Sequence, residues 1–154
     1  MHKPMTPSND ADIMALESGI AAFEAKHFST AIRLLSPLAE VGATEALYRM
    51  AMMAQNGLGM AANPAMALAY MTTAAEAGHA LAQHGLGFMY MEGEGVGQDA
   101  SLAVHWFTQA AAQGLQGSMT TLGLMYKEGR GVPVDLEAAK RWFTQAGFDD
   151  LDFG

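Results

Sequence analysis

Leu86-Gly87-Phe88-Met89-Tyr90-Met91-Glu92-Gly93-Glu94-Gly95-Val96 returns 36 residues later as Leu122-Gly123-Leu124-Met125-Tyr126-Lys127-Glu128-Gly129-Arg130-Gly131-Val132. The same offset pairs Asp99 with Asp135, and Trp106-Phe107 with Trp142-Phe143. Read upstream, it finds a fainter copy in Gly57, Gly59, Asn63, Ala67 and Tyr70. A period of this length marks stacked repeats, because one short helical unit cannot bury its apolar face alone and must lean on its neighbours.

Within each copy the apolar residues fall at helical spacing, as in Ala103, Trp106, Phe107 and Ala110, which lay a single stripe along a helix. Each unit therefore reads as helix A, a glycine-rich loop, helix B and a short turn. Helix A ends where a glycine can turn left-handed, at Gly57, Gly93 and Gly129. Helix B starts after Asn63, Asp99 or Asp135, whose side chains can accept from the first free N–H groups. Pro64 stands where a first-turn proline belongs. Helix B stops near Gly42, Gly78, Gly114 and Gly147. The pattern predicts helices over 10–25, 28–41, 44–56, 64–77, 80–92, 100–113, 116–128 and 136–146. The first pair departs from it: Ala22-Phe23-Glu24-Ala25-Lys26-His27-Phe28 joins its helices without the glycine-rich loop.

Composition narrows the function classes. Half of the 154 residues are apolar, enough for a continuous core. Sixteen acidic against eight basic residues give a net charge of −8, which repels phosphate backbones and argues against nucleic acid as partner. No basic residue lies between Met50 and Tyr126, while Lys127, Arg130, Lys140 and Arg141 cluster near the end. There is no cysteine, hence no disulfide framework and no thiol catalysis. Met1-His2-Lys3-Pro4 lacks the apolar region of a secretory signal, and no apolar run approaches the roughly 18–20 residues that span a bilayer. The expected setting is cytoplasmic without membrane insertion, or periplasmic or secreted if a signal peptide has been removed.

The pattern A-x3-L-G-x2-Y-x2-G-x-G-V-x2-D-x3-A-x2-W-x3-A-A-x2-G resembles the Sel-one-like repeat (SLR) family, relatives of the tetratricopeptide repeats. Residues 82–114 carry it in Ala82, Leu86, Gly87, Tyr90, Gly93, Gly95, Val96, Asp99, Ala103, Trp106, Ala110, Ala111 and Gly114. Residues 118–147 carry it with Ser118 for the first alanine; in 46–78, Ala51, Ala54 and Tyr70 replace the glycine, tyrosine and tryptophan. The resemblance implies an all-α protein, a right-handed α/α solenoid of about four helix-turn-helix repeats. The repeat domain then covers 10–147 (10–42, 44–78, 80–114 and 116–147), after a loose tail at 1–9 and before an acidic, aromatic tail at 148–154. It further implies a non-enzymatic scaffold or adaptor that binds a protein or peptide, in a bacterial signalling or regulatory complex. Its signature residues are packing residues, with Trp106, Trp142, Tyr90 and Tyr126 as wedges between A and B helices.

The residues themselves offer little chemistry. Gly93-Glu94-Gly95-Val96-Gly97 superficially resembles a phosphate cradle, but it follows a helix and lacks the lysine. His2, His27, His79, His84 and His105 form no i, i+4 pair and have no carboxylate at ligand spacing. No serine sits in a Gly-x-Ser-x-Gly elbow. No catalytic residue, cofactor or metal is expected.

Binding is expected along the A helices, at positions that the repeat leaves variable. At a shift of 36 these are Tyr48, Met52 and Gln55; His84, Phe88 and Met91; Thr120, Leu124 and Lys127. Spacings of four and then three residues keep each set on one helix face. Methionine is common at 13 residues, and methionine-rich surfaces adapt to varied partners. The alternative function is a structural protein that homodimerises through an open C-terminal edge. In that reading Leu136, Trp142 and Phe143 are exposed, and Phe148, Leu151 and Phe153 or a second copy cover them, since solenoid ends need a cap.

Overall fold

The computed structural model describes residues 9–148. Eight helices run through them: α1 (Asp10–Glu24), α2 (Phe28–Glu40), α3 (Thr44–Asn56), α4 (Pro64–Glu76), α5 (Ala80–Glu92), α6 (Ala100–Ala112), α7 (Gln116–Glu128) and α8 (Leu136–Gln145). The protein is an all-α helical-repeat solenoid. Its contacts group into two compact units that divide between Ala82 and Gln83.

Local chemistry sets the boundaries. The side chains of Asn63, Asp99 and Asp135 accept the N–H of Met66, Leu102 and Ala138 at 3.0–3.1 Å, capping α4, α6 and α8. Their own N–H groups reach back to the carbonyls of Ala54, Tyr90 and Tyr126, closing each loop the same way. Asn9 caps α1 through the Asp12 N–H. The short first connection turns at Lys26, whose φ is +64°.

In the first unit, α1 packs on α2, α2 on α3 and α3 on α4. In the second, α6 packs on α7 and α7 on α8, around a core of Met91, Ala103, Val104, Phe107, Ala111, Leu122 and Met125. The glycine inside helix A has a specific partner on helix B. A Cβ at Gly87 would lie 2.8–3.0 Å from the ring of Phe107, and one at Gly123 would lie 2.8–2.9 Å from that of Phe143. Gly19 faces Leu35 in the same way. In the degenerate repeat the equivalent positions are Ala51 and Met71, both fully buried. The repeat thus exchanges a methyl on one helix for ring volume on the other, as close packing requires.

This corrects the wedge assignment of Trp106, whereas Tyr90, Tyr126 and Trp142 are partly buried against the second unit's core. Phe107 is fully buried, whereas Trp106 is half-exposed and lies edge-on to His105. Two adjacent aromatic residues sit about 100° apart around a helix, so one enters the seam and the other packs at its margin, as Trp142 does beside Phe143.

The second loop glycine forms the joint between successive repeats. Gly59 and Gly131 adopt φ of +70° and +78°, and a Cβ there would meet Phe28 Cβ at 2.6 Å and Ala100 O at 2.4 Å. Phe28 and Ala100 are the first residues of α2 and α6. A loop backbone therefore rests directly on the start of the preceding B helix, where no side chain fits.

Candidate functional site

The first unit places Tyr48, Met52 and Gln55 half-buried on α3. Tyr48 is part of a polar and aromatic cluster that sequence spacing did not reveal. Its ring stacks on His79 at 4.8 Å, and the Arg49 guanidinium lies about 6 Å from the rings of both Phe23 and Tyr48. Arg49 donates to Glu45 Oε2 at 2.5 Å. His79 Nδ1 accepts the Ala82 N–H, capping α5, so its proton sits on Nε2 and is donated to Glu45 Oε1 at 2.8 Å. Burial pushes the Glu45 carboxyl up, but the hydrogen bonds from Arg49 and His79 outweigh it and hold it below its ordinary value. Burial raises the Tyr48 hydroxyl. Glu45 and His79 lie 34 residues apart, nearly one repeat, and that near-match of period was the available signal.

In the second unit, the His84 ring bonds the Ser118 hydroxyl at 2.7 Å and meets Phe88 and Phe107 edge-on at 4.9 and 5.4 Å. Burial lowers the His84 pKa and favours the neutral ring. Ser118 is fully buried, so the serine that replaces the first alanine of its repeat is a hydrogen-bonding partner for His84. Phe88 is half-buried and packs on Phe107 at 5.1 Å, which ties it to the core as well as to the surface. Met91, expected on the strip, is 6 % exposed and belongs to the core cluster, because the helix turns it under α6. Thr120 donates to Gln116 O within its own helix. Leu124 is 45 % exposed and Lys127 is exposed. Arg130 donates to Met91 O at 3.2 Å and lies 3.9 Å from Glu92.

The expected apolar C-terminal edge is corrected. Phe143 is buried over Gly123, and Trp142 packs against the second unit's core. Phe148 is 45 % exposed and lies edge-on to Phe143 at 6.4 Å. Only Leu136 stands exposed as expected, while Leu151 and Phe153 lie outside the described residues. The outward face of α8 is instead polar, with Glu137, Lys140, Arg141, Thr144 and Gln145 around an open depression of about 360 Å³. The clustering of Lys140 and Arg141 in the sequence was the signal for this solvated face.

Among the described residues, no three His, Cys, Asp or Glu side chains converge as a metal site requires. No described helix is long and apolar enough to cross a membrane.

Solved structures share this fold. A Sel1 repeat protein from Oxalobacter formigenes is 39% identical, with a TM-score of 0.71, over 77% of this chain and 35% of its own. The protective antigen c5321 of uropathogenic Escherichia coli, which displays an SLR fold, is 34% identical with a TM-score of 0.83, over 88% of this chain and 30% of its own. This chain therefore spans about a third of the length of either. Helicobacter pylori cysteine rich protein B is 20% identical, with a TM-score of 0.58, over 88% of this chain and 92% of its own; it speaks for the fold alone. No curated protein matches the chain. The Sel1 repeat matches at residues 44–79, 80–115 and 118–147, and with the three-fold recurrence of cap, loop and seam the chain belongs to the Sel1 repeat family.

Proposed function

We propose that this chain is a non-enzymatic interaction scaffold that holds a peptide or protein segment on its A helices, as part of a bacterial signalling or regulatory complex. Sel1 repeats typically serve as protein-interaction scaffolds, and the titratable groups found here are used in structure: Glu45, Arg49 and His79 with one another, and His84 with Ser118. The reading rests on Leu124. It is a large apolar side chain left 45 % exposed on the A helix of the second unit, one turn from Thr120 and just before Lys127. The half-buried Phe88 and His84 of the same unit extend the patch; Tyr48, Met52 and Gln55 form its counterpart in the first unit. An apolar strip with a cation beside it suits an amphipathic or extended segment with aliphatic anchors and an acidic group.

The test is affinity capture from the source cell with wild type, Leu124→Glu and Met52→Glu. Loss of the same partner in the substituted proteins, at unchanged melting temperature, supports the proposal. Equal capture by all three refutes it.

A further inference from the structure

Apart from the A-helix strip, the first and last described helices each carry an exposed face at positions that are buried inside the repeats. On α7 the residues turned toward α6 include Leu122 and Met125, with Ser118 buried one turn before them. Their equivalents on α3 are Ala46, Met50 and Met53, also buried. On α1 the same register holds Met14, Ser18 and Ala21, all exposed, with Met14 at 65 %. Glu17 stands between them, and Asp10 and Glu24 extend the stripe at either end.

The complementary face behaves alike on α8. Val104 of α6 is buried against α7, and Ile32 of α2 reaches the Gly59 joint. The equivalent residue of α8 is Lys140, exposed beside Arg141. Leu136 holds the position of Phe28 and Ala100, where a loop glycine sits in the internal joints, and it is 46 % exposed. The outward face of a B helix is the surface on which an A helix packs, as α2–α3 and α6–α7 do within the chain. Here the two faces have matching register, and the acidic α1 face complements an α8 face on which Lys140 and Arg141 outnumber the single acid Glu137.

We propose that the outer face of α8 seats the outer face of α1 from a second copy of the chain, repeating the α6–α7 contact between molecules. Glu17 and Glu24 then face Lys140 and Arg141, while Met14 and Leu136 supply apolar area. The contact is heterologous, so association does not stop at a symmetric dimer but adds copies head to tail. Charge sets its register, and added salt weakens it because exposed pairs are screened.

Sedimentation of the full chain across concentrations up to about 0.5 mM tests this, since that range reveals contacts of micromolar strength. The weight-average mass should rise continuously with concentration and fall back in high salt. Lys140→Glu with Arg141→Glu, and separately Glu17→Lys with Glu24→Lys, should each weaken association about tenfold or more. Mixing the two variants should restore it, because each supplies an intact face that the other lacks. Melting temperatures serve as the folding control, and all four positions are exposed. A wild type that stays monomeric throughout, a Glu17→Lys/Glu24→Lys variant that associates like wild type, or a mixture that remains monomeric each overturns the proposal.

Discussion

Gly87→Ala is the sharpest test of how this repeat packs, because two established effects pull in opposite directions. Alanine favours a helix over glycine by about 1 kcal/mol, so a loosely packed site would gain stability. Here the new methyl would lie 2.8–3.0 Å from three ring carbons of Phe107, closer than such atoms tolerate. The ring cannot readily yield, since Phe107 is fully buried and held edge-on by Phe88 and His84. Overpacking of this kind costs about 1–3 kcal/mol, which should leave a net loss of about 1 kcal/mol. Phe107→Met alone should also destabilise, by about 1–2 kcal/mol, through lost ring contacts. Gly87→Ala with Phe107→Met recreates the Ala51 and Met71 combination of the neighbouring repeat. The double variant should therefore be more stable than the sum of its parts by about 1 kcal/mol, well beyond the few tenths that independent sites show. Urea denaturation followed by far-ultraviolet circular dichroism reads this from the midpoints, provided the slopes agree. A Gly87→Ala variant as stable as wild type, or strict additivity in the double variant, refutes the exchange of methyl for ring.

Phe107→Ala should cost about 3–5 kcal/mol, and Trp106→Ala clearly less because that ring is half-exposed; melting curves in the reverse order would restore the tryptophan as the wedge. Gly131→Ala should cost about 2 kcal/mol or more, since it combines φ of +78° with a clash on Ala100 O; a neutral result would show that the joint is loose. Stability should fall with acid. The lowered His84 pKa means that the unfolded chain binds more protons once pH drops to its ordinary 6.5, so the folded state loses stability below that point. Glu45, held low, loses its contribution at still lower pH, as it titrates through its folded value. His84→Gln should flatten denaturation midpoints between about pH 7 and 5, whereas an unchanged slope would place the titrating group elsewhere.

The period of 36 made the helices legible: their starts at Pro64, Ala100 and Leu136 follow the expected caps, and all eight lie within a residue or so of expectation. Glycines 42, 78, 114 and 147 take positive φ where helix B was expected to end. Periodicity could not separate Trp106 from Phe107, because both lie near the seam and a count of apolar residues weights them equally. Comparing columns would have: glycine, glycine and alanine at 87, 123 and 51 change together with phenylalanine, phenylalanine and methionine at 107, 143 and 71. The same comparison, Ile32 and Val104 against Lys140, showed that α8 turns a polar face outward. The cluster of Glu45, Arg49 and His79 stayed hidden because Glu45 and His79 stand 34 residues apart and meet only in the folded first unit, which no spacing within one repeat records.

The joints at Gly59 and Gly131 govern how such a chain comes apart. Each seats a loop on the first turn of the helix before it, and Ser101 adds a hydrogen bond to Gly131 O. Fraying of that first turn removes the floor under the next repeat's loop, so neither can open alone at low cost. In a linear array of nearest-neighbour units, these seats set how far an unfolding boundary travels before it stops. Amide exchange in residues 129–134 and at the start of α6 should then share one opening free energy, making the loop and the helix of its neighbour a single cooperative element that crosses the boundary between repeats.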